Sequence, residues 1–401
     1  MASRPALGGT VLNSGRIRVG VIQDFAEEGW LSMDLVGEML TERIRVRHCD
    51  FIDAVKIQPS MVRRFGYLPF IGGRKTAFNA DRLINRFWDY PRLVRGMQAQ
   101  FTLFHLVDHS YSQLVHDLPA ERTVVTCHDL DTFRCLLDPA HEPRPKWFRA
   151  MTHRTLSGFR KAASVLCDSV ATRDAILQYE LMPAARLKVI HNGVHPAYCP
   201  SSVTEAELDA QRVLGPARED AIDILHVGNT IQRKRIDILL RVFAGIRGEL
   251  PAARLIRVGG GFTVGQLELV HELGLSDAIV VAPFIPRATL AAVYRRAALV
   301  LLPSDAEGFG LPAVEALACG TPVLASDLPV FREVGGNAAS YCMPGNIAAW
   351  VQTARNLLSE RKRAPERWQE RRRAGIDQAR KFSWDEYVRR VVLVYRELLG
   401  V

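Results

Sequence analysis

At 401 residues the chain is too long for one ordinary core and suits two domains. Hydrophobic content of 48% with 24% charged residues is that of a folded globular protein, and no apolar run approaches the roughly 18 to 20 residues that span a bilayer, which argues against a transmembrane helix. The net charge of +9 suits nucleic acid, an anionic membrane surface or a phosphorylated small molecule without choosing among them.

The opening stretch, MASRPALGGTVLNSGR, lacks the apolar core of a secretory signal and reads as a short flexible tail before the first strand, IRVGVI, at Ile17. QDFAEEGWLSM follows with one glycine, Gly29. Residues 61 to 101 mix arginines with Phe, Trp and Tyr, a composition that fits a membrane interface and equally an ordinary lobe with exposed arginines. Strands then recur as FTLFHLV, ahead of His109, as RTVVTC, ahead of His128 and Asp129, as SVLCDS, and as LKVIHN, which runs into Asn192 and Gly193.

Between Pro196 and Asp220 prolines, serines and charges replace the strand pattern, which places a domain boundary near residue 200. DILHVGN, ARLIRVG, AIVVAP, ALVLLPS and PVLAS resume it. Strands alternating with helical spacers predict an α/β fold of parallel sheets with crossover helices on both faces. Further on, RKRAPERWQERRRAG interleaves arginine and glutamate at helical spacing and reads as a solvated helix face rather than a nucleic-acid site. The last segment spaces Trp384, Tyr387, Val388, Val391, Val392 and Tyr395 as one helical stripe, so that helix should dock. Seven scattered cysteines without C-x-x-C spacing suggest neither zinc nor a disulfide framework and fit a reducing cytoplasm.

The densest chemistry lies in ALVLLPSDAEGFGLPAVEALACG. A buried strand ends at Leu302 or Pro303, a loop carries Glu307, and a helix begins near Leu311 or Pro312, where proline suits the first turn. Ligands of open α/β sheets bind beyond the carboxyl ends of the strands, where this loop would lie. Peptide N–H groups of Phe309, Gly310 and Leu311 would be free there, and Gly308 and Gly310 would let a ligand approach, a cradle for phosphate or sugar hydroxyls. Glu315, placed on the first turn, could accept hydrogen bonds from a ribose, with Glu307 over the sugar. Taken singly, each is equally a solvated loop glutamate or one favoured by the helix dipole. In HVGNTIQRKRID, Arg233 and Lys234 follow Gly228 and Asn229 closely enough for two cations to meet a diphosphate, whereas Arg235 reads as solvent-facing.

The run from Glu307 to Val323 resembles the Glu-x7-Glu signature of retaining glycosyltransferase family 4. TCHDLDTF, VIHNGVHPAY, HVGNTIQRKRIDILL, RVGGGF and SDLPVFREVGGNAASYCMPGN match the family in the same order. The resemblance implies the GT-B fold, two Rossmann-like domains whose parallel sheets face a central cleft: residues 1–198 for the acceptor, 199–380 for the nucleotide sugar, and 381–401 as a helix returning to the first. It implies a hexosyltransferase that retains anomeric configuration, takes a GDP- or UDP-linked donor such as a mannose or glucose nucleotide, and needs no metal or other cofactor. The acceptor would be a glycan or lipid-linked hydroxyl in cell-surface polysaccharide assembly. The expected setting is the cytoplasm, at the inner face of an anionic membrane, with no nucleic-acid partner.

Carried over by the same resemblance, Arg233, Lys234 and the helix start would meet the diphosphate, Gly228, Asn229, Gly259 and Gly260 would pass close to the nucleotide, and Glu307 would stabilise charge at the anomeric carbon. His128 would act near the donor sugar, and Asn192 with Gly193 is equally a plain turn or the family's hinge beside the cleft. By their position after strands Asp129 and His109 would face the cleft, and Gly29 is an acceptor-side candidate rather than a family assignment. Two departures stand out. Many relatives have arginine where this chain has Asn229, and many have a Gly-Gly loop where it has only Gly29. A sugar-nucleotide epimerase, a glycan phosphorylase and a non-catalytic binding protein on the same scaffold are the alternatives; the pyridoxal lysine context of a phosphorylase is missing.

Overall fold

The computed structural model describes residues 15–67, 75–215 and 222–401. The flexible tail expected at the N-terminus falls almost wholly outside these residues, as do parts of the arginine and aromatic stretch and of the expected linker.

The chain forms two compact units, one ending at Asn192 and completed by Trp384–Val401, the other running from Gly193 to Ser383. The division thus falls at 192 and 383 where the sequence suggested 198 and 380. Packing explains the shift. Tyr198 lies in the core of the second unit, and the Val194 N–H donates to Phe382 O at 3.0 Å, so the chain has joined that unit directly after Asn192. The strandless segment after it holds a helix, Thr204–Leu214, whose Ala206, Ala210 and Leu214 enter the same core.

In the first unit six strands, β1 (Ile17–Ile22), β2 (Ile52–Ile57), β3 (Leu103–Leu106), β4 (Thr123–Cys127), β5 (Ser164–Cys167) and β6 (Leu187–Val189), form one parallel sheet in the order β2-β1-β3-β4-β5-β6. The order reverses between β1 and β3. The terminal helix Trp384–Leu399 buries all six residues of its predicted stripe in this unit, and His105 Nδ1 lies 2.6 Å from the Tyr395 hydroxyl.

The second unit repeats the plan with β7 (Ile222–Val227), β8 (Ala253–Val258), β9 (Ile279–Ala282), β10 (Leu299–Leu302), β11 (Val323–Ser326) and β12 (Ser340–Cys342), ordered β12-β11-β10-β7-β8-β9 and again wholly parallel. Its pleat sends Leu225, Ile256, Val300 and Val323 into one core and Ile224, Leu255, Leu299 and Leu324 into another, so both faces are covered. Here the order reverses between β7 and β10. At such a switch point the loops leaving two adjacent strands diverge and open a crevice at their carboxyl ends, the usual ligand position in open α/β sheets. Among the described residues no helix is long and apolar enough to cross a membrane.

Candidate active site

β7 and β10 are neighbours, so the loops that follow them, 228–235 and 303–310, emerge side by side. The Asp305 N–H donates to Arg233 O at 2.8 Å and ties one loop to the other. The second loop turns into the helix Leu311–Ala318 through Gly310, whose φ of +85° is left-handed. A Cβ there would meet Phe331 at 2.9 Å, so both backbone and space require glycine. Phe309 turns inward, its ring 5.6 Å from that of Phe382, and Gly308 is buried with it, while Leu311 is half-buried at the helix start.

Glu307 is the focus of the two loops. Its Oε1 accepts from Lys234 Nζ at 2.6 Å and from Ser304 Oγ at 2.7 Å, and its Oε2 accepts from Arg233 at 3.2 Å. Its side chain is only 7% exposed. Burial pushes the carboxyl up, but the charges of Lys234 and Arg233, with the hydrogen bonds from Lys234 and Ser304, outweigh it and hold the group below the usual glutamate range. Glu307 is therefore a fixed anion between two cations. Arg235, expected to face solvent, is partly exposed and makes surface pairs with Asp237 at 2.8 Å and with Asp305 at 3.0 Å. Its backbone is left-handed, with φ +47°, at the start of the next helix.

Gly228 and Gly259 end the adjacent strands β7 and β8 and touch. A Cβ at Gly259, whose φ is +123°, would stand 2.2 Å from Gly228 O. Asn229, half-buried, follows the first of these turns, its Oδ1 3.4 Å from the Ile231 amide; Gly260 follows the second. Two residues that the sequence did not single out lie with them. Arg257 donates to the carbonyls of Gly260 and Gly228, and His226 is buried beside the Lys234 stem under the Gly228 turn.

Glu315 is the fifth residue of its helix rather than part of the first turn, and it is buried. Tyr294 donates to its Oε2 at 2.9 Å and Tyr198 bonds to it as well. Burial pushes its carboxyl up to about 7 against both hydrogen bonds and the nearby Arg287 charge. The two glutamates thus carry opposite tendencies, one held ionised and the other half-protonated near neutrality.

In the first unit, His128 ends β4 with both ring nitrogens engaged: Nδ1 lies 2.7 Å from Asp168 Oδ2, and Nε2 lies 2.7 Å from Val107 O. A ring that faces two acceptors must donate twice, so it is an imidazolium. Burial pulls it down, but the charge and hydrogen bond of Asp168, with Asp108 beyond, raise it to about 9. Asn192 Nδ2 donates to the same Asp168 oxygen at 2.8 Å.

At the β1/β3 switch point stand Asp24 and Asp108, neither of them legible as site residues in the sequence. Burial, and then the Asp108 charge, push Asp24 well above the usual range. Asp108, although burial pushes it up, is held low by His109, His128 and Ser110. Of the two, Asp24 is the carboxyl that favours its proton. His109 is buried with Asp108 3.3 Å from Nδ1 and Asp129 3.8 Å from Nε2, neither in hydrogen-bonding geometry. Gly29 is exposed at the end of a short turn, Ala26–Glu28. The last residue of that turn, Glu28, is bound by Tyr111 at 2.7 Å, Trp30 at 3.1 Å, and Arg82 and Arg86 at 3.5 and 3.6 Å. Among the described residues no three His, Cys, Asp or Glu side chains gather as a metal site would require.

Comparison with known proteins adds the family. Residues 57–198 match the family model described as Glycosyltransferase Family 4, and residues 209–375 match the one described as Glycosyl transferases group 1. A D-inositol 3-phosphate glycosyltransferase of Mycolicibacterium smegmatis is 31% identical over 289 residues, 64% of either chain, and the curated relatives matched first are all spanned over less than two thirds of their length. Among solved structures, sucrose-phosphate synthase from Thermosynechococcus elongatus superposes with a TM-score of 0.72 at 18% identity, over 96% of this chain and 100% of that one. Anabaena HepE, solved in complex with UDP and glucose, gives 0.69 at 16% identity over 94% and 99%. Matched in succession by these two glycosyltransferase family models and sharing the two-unit parallel architecture of the solved structures, the chain has a GT-B fold and is related to the family-4 glycosyltransferases.

Proposed function

We propose that the protein is a retaining glycosyltransferase that moves a hexosyl group from a nucleoside diphosphate sugar to an acceptor hydroxyl. The observation that carries this reading is the Glu307, Lys234 and Arg233 cluster at the switch point of the second sheet, beside the Gly228 and Gly259 turns. In this account Lys234 and Arg233 neutralise the departing diphosphate together with the first amides of the helix at Leu311, preorganised charges whose individual removal typically costs about 100-fold or more. The bond from the anomeric carbon to the diphosphate oxygen breaks with its electron pair leaving on the diphosphate. The acceptor oxygen bonds to the same face, and its proton passes to the diphosphate. Glu307, held ionised, orients the sugar and stabilises positive charge at the anomeric carbon; its engagement by three donors suits that role better than a covalent one. Glu315 receives the ribose hydroxyls.

His128 enters this account as a fixed cation, since neither ring nitrogen is left to take a proton. The acceptor is assigned to the carboxyl edge of the first sheet, where Asp24, Asp108, His109 and Asp129 offer acceptors and a donor for the hydroxyls of a glycan or glycolipid, as cell-surface polysaccharide assembly would present. A UDP-linked donor is favoured by the likeness to a protein solved with UDP and glucose, with GDP-mannose the competing choice. Exposed Trp88, Leu93 and Tyr67 among arginines support contact with an anionic membrane, and seven unpaired cysteines support a reducing compartment.

The test is release of nucleoside diphosphate from UDP- and GDP-hexoses with glycan and lipid extracts as acceptors, and NMR of the new anomeric centre. An acceptor-dependent product of retained configuration, lost in Glu307→Gln, is expected. Conversion without an acceptor would indicate an epimerase, and consumption of phosphate a phosphorylase.

A further inference from the structure

Arg257 points along β8 toward the carboxyl edge of the second sheet and is wholly buried, at 0% exposure. Its guanidinium donates to Gly260 O and, at 3.1 Å, to Gly228 O; Nε has no partner, and the group lies 5.2 Å from the Phe262 ring centre. Among the described residues no carboxylate pairs with it. Desolvating a cation without a counter-ion is costly, so such an arrangement calls for an explanation. Burial pulls the group down only to about 10, so it stays charged at neutral pH.

The surroundings deepen the puzzle. His226, buried below the Gly228 turn, has no hydrogen-bond partner on either ring nitrogen. Burial and the Arg257 and Lys234 charges hold it well below the usual histidine range, so it neutralises nothing. Arg235 is already spent on Asp237 and Asp305. Arg233 and Lys234 pair with Glu307, and among the described residues no carboxylate pairs with Arg257, so the surroundings of the two glycine turns carry an excess of positive charge. A nucleoside diphosphate sugar carries two negative charges on its diphosphate. The Gly228 turn brings no cation of its own, since the next residue is the neutral Asn229.

We infer that Arg257 is a positioning residue of the donor site: it clamps the Gly228 and Gly260 turns together by their carbonyls and lends them an uncompensated charge directed at the diphosphate of the sugar nucleotide. The inference rests on the donor-site reading given above. It explains why a strand position in a buried sheet holds arginine, and why its two bonds go to the two turns that the ligand would approach.

The test is calorimetric binding of UDP, GDP and ADP, each beside its parent nucleoside, to wild type, Arg257→Met, Arg257→Lys and the double variant Arg257→Met with Asn229→Arg, each checked for folding by circular dichroism. Arg257→Met should weaken the preferred diphosphate on the order of 10-fold, the scale of one partly screened charge at close range. Its nucleoside should change less than about 2-fold, because the nucleoside lacks the charge that Arg257 serves. Arg257→Lys should recover part of the loss, and arginine at position 229 should recover most of it by returning a cation to the turn. Equal weakening of nucleoside and diphosphate, unrelieved by lysine, would reduce Arg257 to packing and overturn the inference, as would unchanged diphosphate binding in Arg257→Met. If Arg257→Met does not fold, Arg257→Lys decides alone: loss confined to the diphosphate supports the inference, and loss shared by the nucleoside overturns it. Wild type that binds no diphosphate would instead sink the donor-site reading itself.

Discussion

Lys234 Nζ lies 2.6 Å from Glu307 Oε1, so the cation assigned to the leaving diphosphate and the carboxylate assigned to the sugar neutralise each other before any substrate arrives. Lysine has three donors and can hold Glu307 while reaching a phosphate; Glu307 gains a fixed orientation in return. Removing the carboxylate should therefore separate binding from chemistry. Glu307→Gln leaves more positive charge for the diphosphate, so nucleotide affinity should hold or rise a few-fold while kcat falls about 100-fold or more. Steady-state kinetics beside calorimetry checks this; parallel loss of affinity and kcat would contradict it.

The proposed role of Glu315 as the ribose acceptor predicts a pH dependence of donor binding. Its carboxyl titrates at about 7, above the ordinary glutamate range, and only the ionised form accepts two ribose hydroxyls. Binding must release the proton, so affinity should rise about 10-fold from pH 6 to pH 8. Glu315→Gln should flatten the profile at weaker affinity. For the free protein the sign is the reverse: a raised folded pKa gives stability fully present below the ordinary glutamate value and lost as pH rises through 7, a loss that Glu315→Gln should abolish in thermal melts.

His128 should be observed as an imidazolium. Because its folded pKa is raised to about 9, its contribution to stability is complete below the ordinary histidine value and is lost as pH rises through 9. Two ring N–H signals at neutral pH in nitrogen-edited NMR are expected, collapsing toward ordinary titration in Asp168→Asn. A wild-type ring titrating near 6.5 would remove the fixed-cation assignment.

Gly259→Ala should be among the most damaging small substitutions. The added methyl would meet Gly228 O at 2.2 Å in a left-handed backbone, and the two turns would have to part. A cost on the order of 2–4 kcal/mol is expected from strain and lost packing, read as a lowered melting temperature of the second unit.

Local chemistry was legible in the sequence, and partnership across strands was not. Ten strands declared themselves as apolar runs. β2, with Asp53 and Lys56 on a half-buried edge, and the three-residue edge strand β12 were too polar or too short to do so. The Glu307 loop could be placed because strand, glycines, proline and helix lie within about twenty residues. The ionised state of Glu307 could not, since it depends on donors 73 and 74 residues away. His128 was legible as a residue near the donor sugar, but its pairing was not, because Asp168 lies 40 residues on. Asp24 and Asp108 become neighbours only once β1 pairs directly with β3, β2 lying between them in sequence but on the far side of β1 in the sheet, and an arginine within a buried strand, as at Arg257, gives no sign of the turns that it joins.

The central claim is that the switch point of the second unit holds the nucleoside diphosphate of a sugar donor through Lys234 and Glu315. It is met most directly by isothermal titration of UDP, GDP and ADP into wild type, Lys234→Ala and Glu315→Ala. Saturable binding selective for one base, weakened about 10-fold or more in each variant, is the predicted result. A folded wild type that binds none of the three, or binding indifferent to both substitutions, would contradict it.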